Sequence, residues 1–247
     1  MITEQAMGVM RELATISEKG PLASKAVGST GVGITLLDQL GLPLTSSGKA
    51  TYKGIVIKTR RSTSNASETR VNLFARVPTW ASSACKSSEE IMERYGYFSE
   101  EHSNKRLYCT VSARRVNPQG LVLVVDRYEN SLHEVFRTNG FDERVASWPI
   151  DDLKNRGLRS NPETIWVVAH AKNVDGKEYF HYVEAFYTGS PDINVFIDLL
   201  EEGTITIDHL IERRNGKVSE KGPLFKLKPS NIGSFFPDPQ KYDLMDI

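Results

Sequence analysis

An apolar run at residues 164–171, TIWVVAHA, constrains the fold of this chain more than any other segment. The run is rich in β-branched residues, a pattern that predicts a strand buried inside a sheet. Apolar side chains spaced three residues apart predict a helix at residues 3–19, before a Gly-Pro stop. With 247 residues the chain can bury a sizeable core, so we expect a single α/β domain over residues 1–247.

Turn-rich segments divide the rest of the chain into short strands and helices. Residues 53–59 and 71–77 have strand-like patterns and are joined by a polar loop, so we predict that they form a hairpin. An Asp-Gly turn later in the chain predicts a second hairpin, with His170 and His181 facing each other. No internal repeat interrupts this order, and we place no domain boundary inside the chain.

The composition is that of an ordinary globular protein, with 39% hydrophobic and 25% charged residues. No apolar run approaches the roughly 20 residues that cross a bilayer, and the N-terminal segment lacks the pattern of a secretion signal. We therefore expect a cytoplasmic protein with no membrane partner. Cys85 and Cys109 lack the paired spacing of a zinc site, and the histidines show no metal-binding spacing, so no metal or other cofactor is predicted from these residues.

The net charge gives no support for binding nucleic acid, because 31 basic and 31 acidic side chains cancel. Basic residues nevertheless cluster locally, and a balanced chain can still present one basic face. The clusters are Arg60-Arg61, Lys105-Arg106, Arg114-Arg115, Arg213-Arg214-Lys217 and Lys221-Lys226-Lys228. These clusters are the candidates for contact with an anionic partner.

Lys58, near the end of the predicted strand GIVIKT, is the sharpest sign of a chemical function. A strand-end lysine beside an acid is how many nucleases position an attacking water, but Val56 stands two residues before Lys58. The preceding loop, TSSGKATYK, contains no Asp or Glu. Metal-assisted phosphodiester hydrolysis needs carboxylate oxygens to hold Mg²⁺, so Lys58 cannot carry this chemistry alone.

Several sequence segments occur in an order that resembles a known family. They are TGVGITLLDQLG, GIVIKTRR, VNLFARVPTW, ERYGY and YCTVSARR. Together they resemble the MvaI/BcnI family of type II restriction endonucleases, which are MutH-like members of the PD-(D/E)XK superfamily, over residues 27–235. The resemblance implies an α/β, restriction-endonuclease-like (PD-(D/E)XK) fold with a central mixed β-sheet flanked by helices. It also implies contact with duplex DNA and, in active members, cleavage with Mg²⁺.

At the positions where the family has its catalytic acids, this chain has residues without a carboxylate. The resemblance places the family's helix Glu on Leu37, its Asp on about Thr51, its strand Glu on Val56 and its Lys on Lys58. Two other acids are candidates for relocated metal ligands. Asp38 adjoins the helix position but points about 100° away from it around the helix axis. Glu68 precedes the next predicted strand.

The resemblance gives the basic clusters a role in holding DNA. Arg60 and Arg61 follow the GIVIKT strand, and Arg114 and Arg115 follow the TVS strand. Guanidinium groups at such places bind phosphates bidentately. The segment ERRNGKVSEKG predicts a two-stranded ribbon of a size that fits the major groove. The ribbon's candidate DNA contacts are Arg213, Arg214, Lys217 and Lys221.

The sequence supports one preferred function and two alternatives. We expect a protein that binds double-stranded DNA and has lost Mg²⁺-dependent cleavage, acting as a recognition subunit, a regulator or a component of phage defence. A separate nuclease or another protein subunit is a further expected partner. The first alternative is an active, Mg²⁺-dependent type II site-specific deoxyribonuclease with relocated metal ligands. The second is a protein-interaction module that has lost its affinity for DNA as well.

Overall fold

The first helix begins where the sequence predicts it. Helix α1, Glu4–Glu18, follows Thr3, whose hydroxyl accepts a hydrogen bond from Ala6 N at 3.2 Å. The computed structural model describes residues 1–28, 30–43, 51–62, 70–101, 104–138, 140–214, 216–220 and 222–247. The other helices are α2 Gly31–Gln39, α3 Ser88–Tyr95, α4 Ile150–Ser160, α5 Phe196–Glu201 and α6 Ile232–Phe235, with 3₁₀ turns at Trp80–Ser82, Ile193–Val195 and Pro229–Asn231. Among the residues described, no helix is both long and apolar enough to cross a membrane.

The strands form three sheets. They are β1 Leu22–Ala23, β2 Thr51–Tyr52, β3 Ile55–Ser62, β4 Val71–Ala75, β5 Tyr97–Ser99, β6 Asn104–Val111, β7 Leu121–Asp126, β8 Ser131–Thr138, β9 Phe141–Pro149, β10 Thr164–Val174, β11 Lys177–Thr188, β12 Ile205–Arg214, β13 Lys217–Glu220, β14 Leu224–Leu227 and β15 Gln240–Asp243. Sheet A has the order β1-β11-β10-β3-β2, with β15 paired to β11. Sheet B has the order β4-β14-β12-β6-β5, with β13 paired to β12, and sheet C is the meander β7-β8-β9.

Sheet A is mixed, as the family resemblance implies. Strand β10 runs parallel to β3 and antiparallel to β11. The apolar run that predicted a buried strand lies in β10, where residues 164–169 are all buried. The β10–β11 hairpin turns at Asp175 and Gly176, whose φ angles are 50° and 77°, and it pairs His170 with His181 as predicted.

An apolar core covers one face of sheet A. It combines Leu13 of α1 with Ile55 and Ile57 of β3 and with Ile165 and Val167 of β10. Burying each of these aliphatic side chains contributes about 1.5–3 kcal/mol relative to leaving it exposed. Because successive strand residues point to opposite faces, the even-numbered residues of β3 lie on the other face of the sheet.

Strand β12 of sheet B shows the same alternation. Ile205, Ile207 and Ile211 point to the buried side, where none of them is exposed. Thr206 and Asp208 lie between them and point to the opposite face. Sheet B therefore has one buried, mostly apolar face, which also holds His209, and one face that carries polar and charged groups.

The predicted hairpin between the strands now called β3 and β4 is wrong. Strand β3 pairs with β2 and β10 in sheet A, whereas β4 pairs with β14 in sheet B. Both segments are strands, as their composition predicts. Their partners come from distant parts of the chain, and a local pattern carries no information about such partners.

Backbone contacts divide the chain into two compact units. Unit 1 comprises residues 1–69, 161–191 and 232–247, and unit 2 comprises residues 70–160 and 192–231. Sheet A belongs to unit 1, and sheets B and C belong to unit 2. The single domain stays a prediction, because a division into compact units does not tell whether the units fold separately.

Candidate nucleic-acid interface

The face of sheet A that points away from the apolar core carries Val56, Lys58 and Arg60. Their alternation with Ile55 and Ile57 fixes this orientation. In the parallel pairing with β10, Val56 lies beside Thr164, Lys58 beside Trp166 and Arg60 beside Val168. The position two residues before Lys58 therefore shares its face, as it does in a nuclease, but it holds a valine.

Two neighbours fix the Lys58 ammonium. Its Nζ lies 4.6 Å from the centroid of the Trp166 ring, a cation–π contact worth on the order of 0.5–2 kcal/mol. The ammonium also donates a hydrogen bond to Oδ1 of Asn161, a residue with no exposed surface. Lys58 thus has a packing role in unit 1 that is independent of any reaction.

The three positions that the resemblance assigns to acids do not fit a Mg²⁺ ion. Thr51 of β2 lies directly opposite Val56 in the antiparallel pair, at a spacing where Cβ atoms are about 4.5–5.5 Å apart. Val56 is 4% exposed and purely aliphatic, and Leu37 lies in α2. Mg²⁺ requires oxygen ligands in octahedral geometry, and among these three side chains only the Thr51 hydroxyl offers an oxygen.

Of the two candidate relocated acids, the structure describes only Asp38. The carboxylate of Asp38 lies 3.2 Å from Nζ of Lys25 and accepts a hydrogen bond from the Gln39 amide at 3.4 Å. Glu68 lies outside the described residues. Among the residues that are described, the group of acids and histidines close enough to share a metal lies in unit 2 and does not include Asp38. Relocation of the metal ligands stays a prediction.

Glu163 comes near Val56 through its backbone, yet its carboxylate lies on the core face. Its carbonyl oxygen accepts a hydrogen bond from Val56 N at 3.0 Å. Its side chain accepts one from the Tyr187 hydroxyl at 2.8 Å, and Tyr187 packs in the apolar core of sheet A. To take the place of the family's strand Glu at position 56, the Glu163 carboxylate would have to lie on the opposite face of the sheet.

Unit 2 contains a cavity of about 940 Å³ whose charged lining residues are all basic. These residues are Arg70, Arg114, Arg115 and Lys228. Hydroxyl and amide groups of Thr110, Ser112, Asn117 and Thr206 supply further hydrogen-bonding capacity. Cys109 also lines the cavity, but burial raises the pKa of its thiol to about 12, so it adds no negative charge near neutral pH. The cavity therefore attracts anions.

Gly203 and Asn117 constrain the loop that carries Arg114 and Arg115. Gly203 follows α5 with a φ of +68°, and a Cβ built on it would lie only 2.4 Å from Cγ of Arg114. The side chain of Asn117 accepts backbone hydrogen bonds from Gln119 at 3.0 Å and Leu121 at 2.8 Å, the turn role favoured by its sequence context. Arg114 and Arg115 are both exposed on this loop.

A carboxylate beside the cavity is surrounded by donors. Asp208, which is 7% exposed, lies 2.7 Å from the Arg70 guanidinium and 2.9 Å from Nζ of Lys226. The Thr110 hydroxyl, opposite Asp208 on β6, donates to it at 2.8 Å. Two cations thus share one carboxylate, which fixes their positions and leaves this group of three side chains with one excess positive charge.

Arg61 and Arg60, the predicted phosphate contacts on β3, lie in different surroundings. The Arg61 guanidinium lies 2.8 Å from Glu178 and 2.7 Å from the carbonyl oxygen of Gly28. It also stacks 5.2 Å from the centroid of the Phe180 ring. These contacts give Arg61 a structural role, whereas Arg60 is half-buried on the Lys58 face.

The predicted basic hairpin is present as β12 and β13, with Arg213 opposite Val218. The Arg213 guanidinium lies 2.7 Å from Glu89 and 3.1 Å from Glu93, both on α3. Lys105 and then Arg213 hold the pKa of Glu93 below its usual range, so this carboxylate is charged near neutral pH and offsets Arg213. Lys217 is exposed at the start of β13, while the Arg214 side chain and Lys221 lie outside the part of the chain that is described.

Arg70 is the cavity residue that the sequence analysis missed. It is an isolated arginine before β4, without a basic neighbour. Val71 and Leu227 pair across β4 and β14, which brings Arg70 and Lys228 to the same end of these strands. Lys226 and Lys228 belong to a cluster visible in the sequence, but their register with Arg70 comes only from the sheet.

Comparisons with known proteins identify the family and the fold. The sequence model of the MvaI/BcnI restriction endonuclease family matches residues 10–236. The solved complex of restriction endonuclease MvaI with its cognate DNA substrate has a TM-score of 0.83 and 19% identity, covering 99% of this chain and 100% of that chain. MvaI in the absence of DNA has a TM-score of 0.54 and 19% identity, covering 98% of each chain. No curated protein matches the sequence. The predicted restriction-endonuclease-like fold is thus confirmed, and the chain belongs to the MvaI/BcnI restriction endonuclease family.

Proposed function

We propose that this protein binds double-stranded DNA without cutting it. The observation that carries the DNA-binding half of the proposal is the cavity in unit 2, whose charged lining is wholly basic. Arg114 and Arg115 lie exposed on a loop held by Asn117, so their guanidinium groups are available to phosphate oxygens. Family membership supports the same reading, because the related MvaI has been solved with cognate DNA.

Further contacts are proposed on the basic hairpin and on β3. Lys217 is exposed at the hairpin, and Arg214 and Lys221 flank it in sequence. Arg60 shares the face of β3 that carries Lys58. We give Arg61 and Arg213 smaller roles, because each already pairs with carboxylates.

The absence of cutting rests on the Lys58 face of unit 1. Hydrolysis in this family requires a metal-bound water beside the strand-end lysine, and carboxylates hold that metal. Val56 and Thr51 are cross-strand neighbours at the positions where the resemblance expects two of those carboxylates. A protein with DNA affinity and without this chemistry suits a recognition subunit, a regulator or a phage-defence component that works with a separate nuclease.

Two assays test the proposal. A gel shift with linear duplex at low salt should show binding, since phosphate contacts are strongest there. Incubation of supercoiled plasmid with Mg²⁺ or Mn²⁺ should leave the plasmid intact. Cleavage that Asp38→Ala or Glu68→Ala abolishes would instead establish an active nuclease with relocated ligands. Failure to bind any duplex at low salt would remove the DNA-binding claim and favour a protein-interaction module.

A further inference from the structure

We propose that the turn between β7 and β8 binds a divalent transition-metal ion of the Zn²⁺ class through Asp126, Glu129 and His133. One ligand atom from each of these side chains lies within 4.8 Å of the other two. The site belongs to sheet C of unit 2 and shares no residue with the basic cavity or with the Lys58 face. The proposed metal site can therefore be tested separately from DNA binding.

His133 provides the observation that points to a ligand. Its side chain is 5% exposed, and within the described structure its Nε2 has no hydrogen-bond partner. A buried polar atom without a partner is unfavourable and uncommon, so a nitrogen in this state calls for an explanation. Nε2 lies 3.4 Å from Oε2 of Glu129 and thus faces the carboxylates. A metal between these two atoms would satisfy the orphaned nitrogen.

The other ring nitrogen of His133 is held as a metal ligand requires. Nδ1 lies 2.8 Å from Oγ of Ser147, the residue opposite His133 on β9. With the proton on Nδ1 donated to that hydroxyl, the lone pair of Nε2 is directed at the carboxylates.

The hairpin turn brings the two acids to this nitrogen. Asp126 ends β7 and accepts backbone hydrogen bonds from Tyr128 at 2.9 Å and Glu129 at 2.8 Å through Oδ1, an arrangement that closes the turn. Asp126 pairs with Ser131 and Val124 pairs with His133, so Asp126 and His133 are diagonal neighbours on one face of sheet C. The other carboxylate oxygen, Oδ2, lies 3.8 Å from the Arg144 guanidinium.

The donor set and spacing select the class of ion. One imidazole and two carboxylates suit Zn²⁺, Mn²⁺ or Co²⁺, and three protein ligands leave a position for water. In a tetrahedral zinc site, metal–ligand bonds of roughly 2.0–2.2 Å put neighbouring ligand atoms about 3.4 Å apart. The measured 3.4 Å between Nε2 of His133 and Oε2 of Glu129 matches this separation.

Arg144 competes with the ion for the same carboxylates. Its guanidinium lies 2.8 Å from Oε2 and 3.0 Å from Oε1 of Glu129, and 3.8 Å from Oδ2 of Asp126. Asp126 and Glu129 together carry one more negative charge than Arg144 neutralises. Removing the guanidinium doubles that excess, so an Arg144→Gln variant should bind a dication more tightly than the parent.

Isothermal titration of the full, untagged and chelator-treated chain with Zn²⁺ tests the proposal. We expect one bound ion per chain. Asp126→Asn, which keeps the oxygen that closes the turn, and Glu129→Gln should each weaken binding by roughly tenfold or more, since even outer groups around metals contribute about 10–100-fold. Arg144→Gln should tighten it. Asp142→Asn, which removes a sheet C carboxylate paired with Arg137, is the matched control and should leave it unchanged.

Two results would overturn the site. One is the absence of stoichiometric Zn²⁺ binding by the parent and by Arg144→Gln. The other is binding that Asp126→Asn and Glu129→Gln leave as strong as in the Asp142→Asn control. Both acid variants change partly exposed side chains, so a folded protein is expected for each, and circular dichroism checks this.

Discussion

Replacing Arg114 and Arg115 by glutamine should reduce the salt dependence of DNA binding. Both residues are exposed, and they line a cavity in which the charged lining residues that the structure describes are all basic. Each phosphate neutralised contributes about 0.9 to the slope of log affinity against log salt, so loss of two contacts lowers the slope by about 1.8. Between about 50 and about 200 mM salt, the parent should then lose about twelvefold more affinity than the double variant.

Fluorescence anisotropy with a labelled duplex measures this slope. The target sequence need not be known, because phosphate contacts are independent of base sequence. The matched control is Arg127→Gln with Arg137→Gln, which removes the same net charge. Arg127 is paired with Asp198 at 2.8 Å and Glu201 at 2.6 Å, and Arg137 with Asp142 at 2.7 Å. Its slope should equal that of the parent.

Two outcomes would refute the reasoning. Equal changes of slope in both double variants would mean that the total charge of the protein, and not the cavity, governs binding. An unchanged slope in the cavity variant, with the parent binding DNA, would mean that phosphates are held elsewhere. The exposed Lys217 at the basic hairpin would then be the next residue to change.

Three further predictions concern unit 1, the cavity loop and a buried pair. Val56→Glu should lower the melting temperature of the protein, because it places a carboxyl group at a buried position. Added Ca²⁺ or Mg²⁺ should raise the melting temperature again only in the double variant with Thr51→Asp, which supplies a second carboxylate on the opposite strand. Gly203→Ala should cost about 1–2 kcal/mol for its left-handed φ and weaken DNA binding by displacing a cavity arginine. Burial disfavours protonation of His209, but Glu134, 2.9 Å away, outweighs it and raises the pKa of His209 above 6.5. The free energy of unfolding should therefore fall as the pH rises from 6.5 through the folded-state pKa, and Glu134→Gln should remove that fall.

Controls for these variants follow from the same geometry. Gly140→Ala also has a left-handed φ, of +89°, but nothing lies near its Cβ, so it should lower stability without changing DNA affinity. Equal DNA affinity in both glycine variants would contradict the role given to Gly203. Recovery of the Val56→Glu variant by Ca²⁺ without Thr51→Asp would show that another group already completes a metal site. A stability curve flat from pH 6 to 8 in the parent would contradict the raised pKa of His209.

Local sequence patterns predicted the features that depend on alternation. The strand predicted at residues 53–59 is present as β3, and Val56 and Lys58, two residues apart, share one of its faces. The β-branched run predicted the buried strand β10, and the Asp-Gly turn predicted the pairing of His170 with His181. These features need only the geometry of a strand and a turn, both of which are encoded within a few residues.

Features that depend on pairing between distant segments were not predictable in the same way. The prediction of a β3–β4 hairpin was wrong because β3 pairs with β10 and β4 pairs with β14. Arg70 lies in the cavity beside Lys228 because of the same β4–β14 pairing. Arg213 was predicted as a DNA contact, yet Glu89 and Glu93 of α3 already pair with it, and a count of basic residues along the chain cannot reveal such neighbours.

Retention of Lys58 alongside Val56 and Thr51 follows from the energetics of this face. Two carboxylates at directly opposite positions of a strand pair, about 5 Å apart, would repel by about 3 kcal/mol at an effective dielectric of 20 unless a metal lay between them. Valine and threonine at these two positions carry no such repulsion. Lys58 carries no such penalty, because the Trp166 ring and the Asn161 amide stabilise its ammonium whether or not a metal is present. The contacts of Lys58 therefore account for its place at the end of β3 without a metal, and we expect the side chain at position 56 to decide whether this face can hold Mg²⁺.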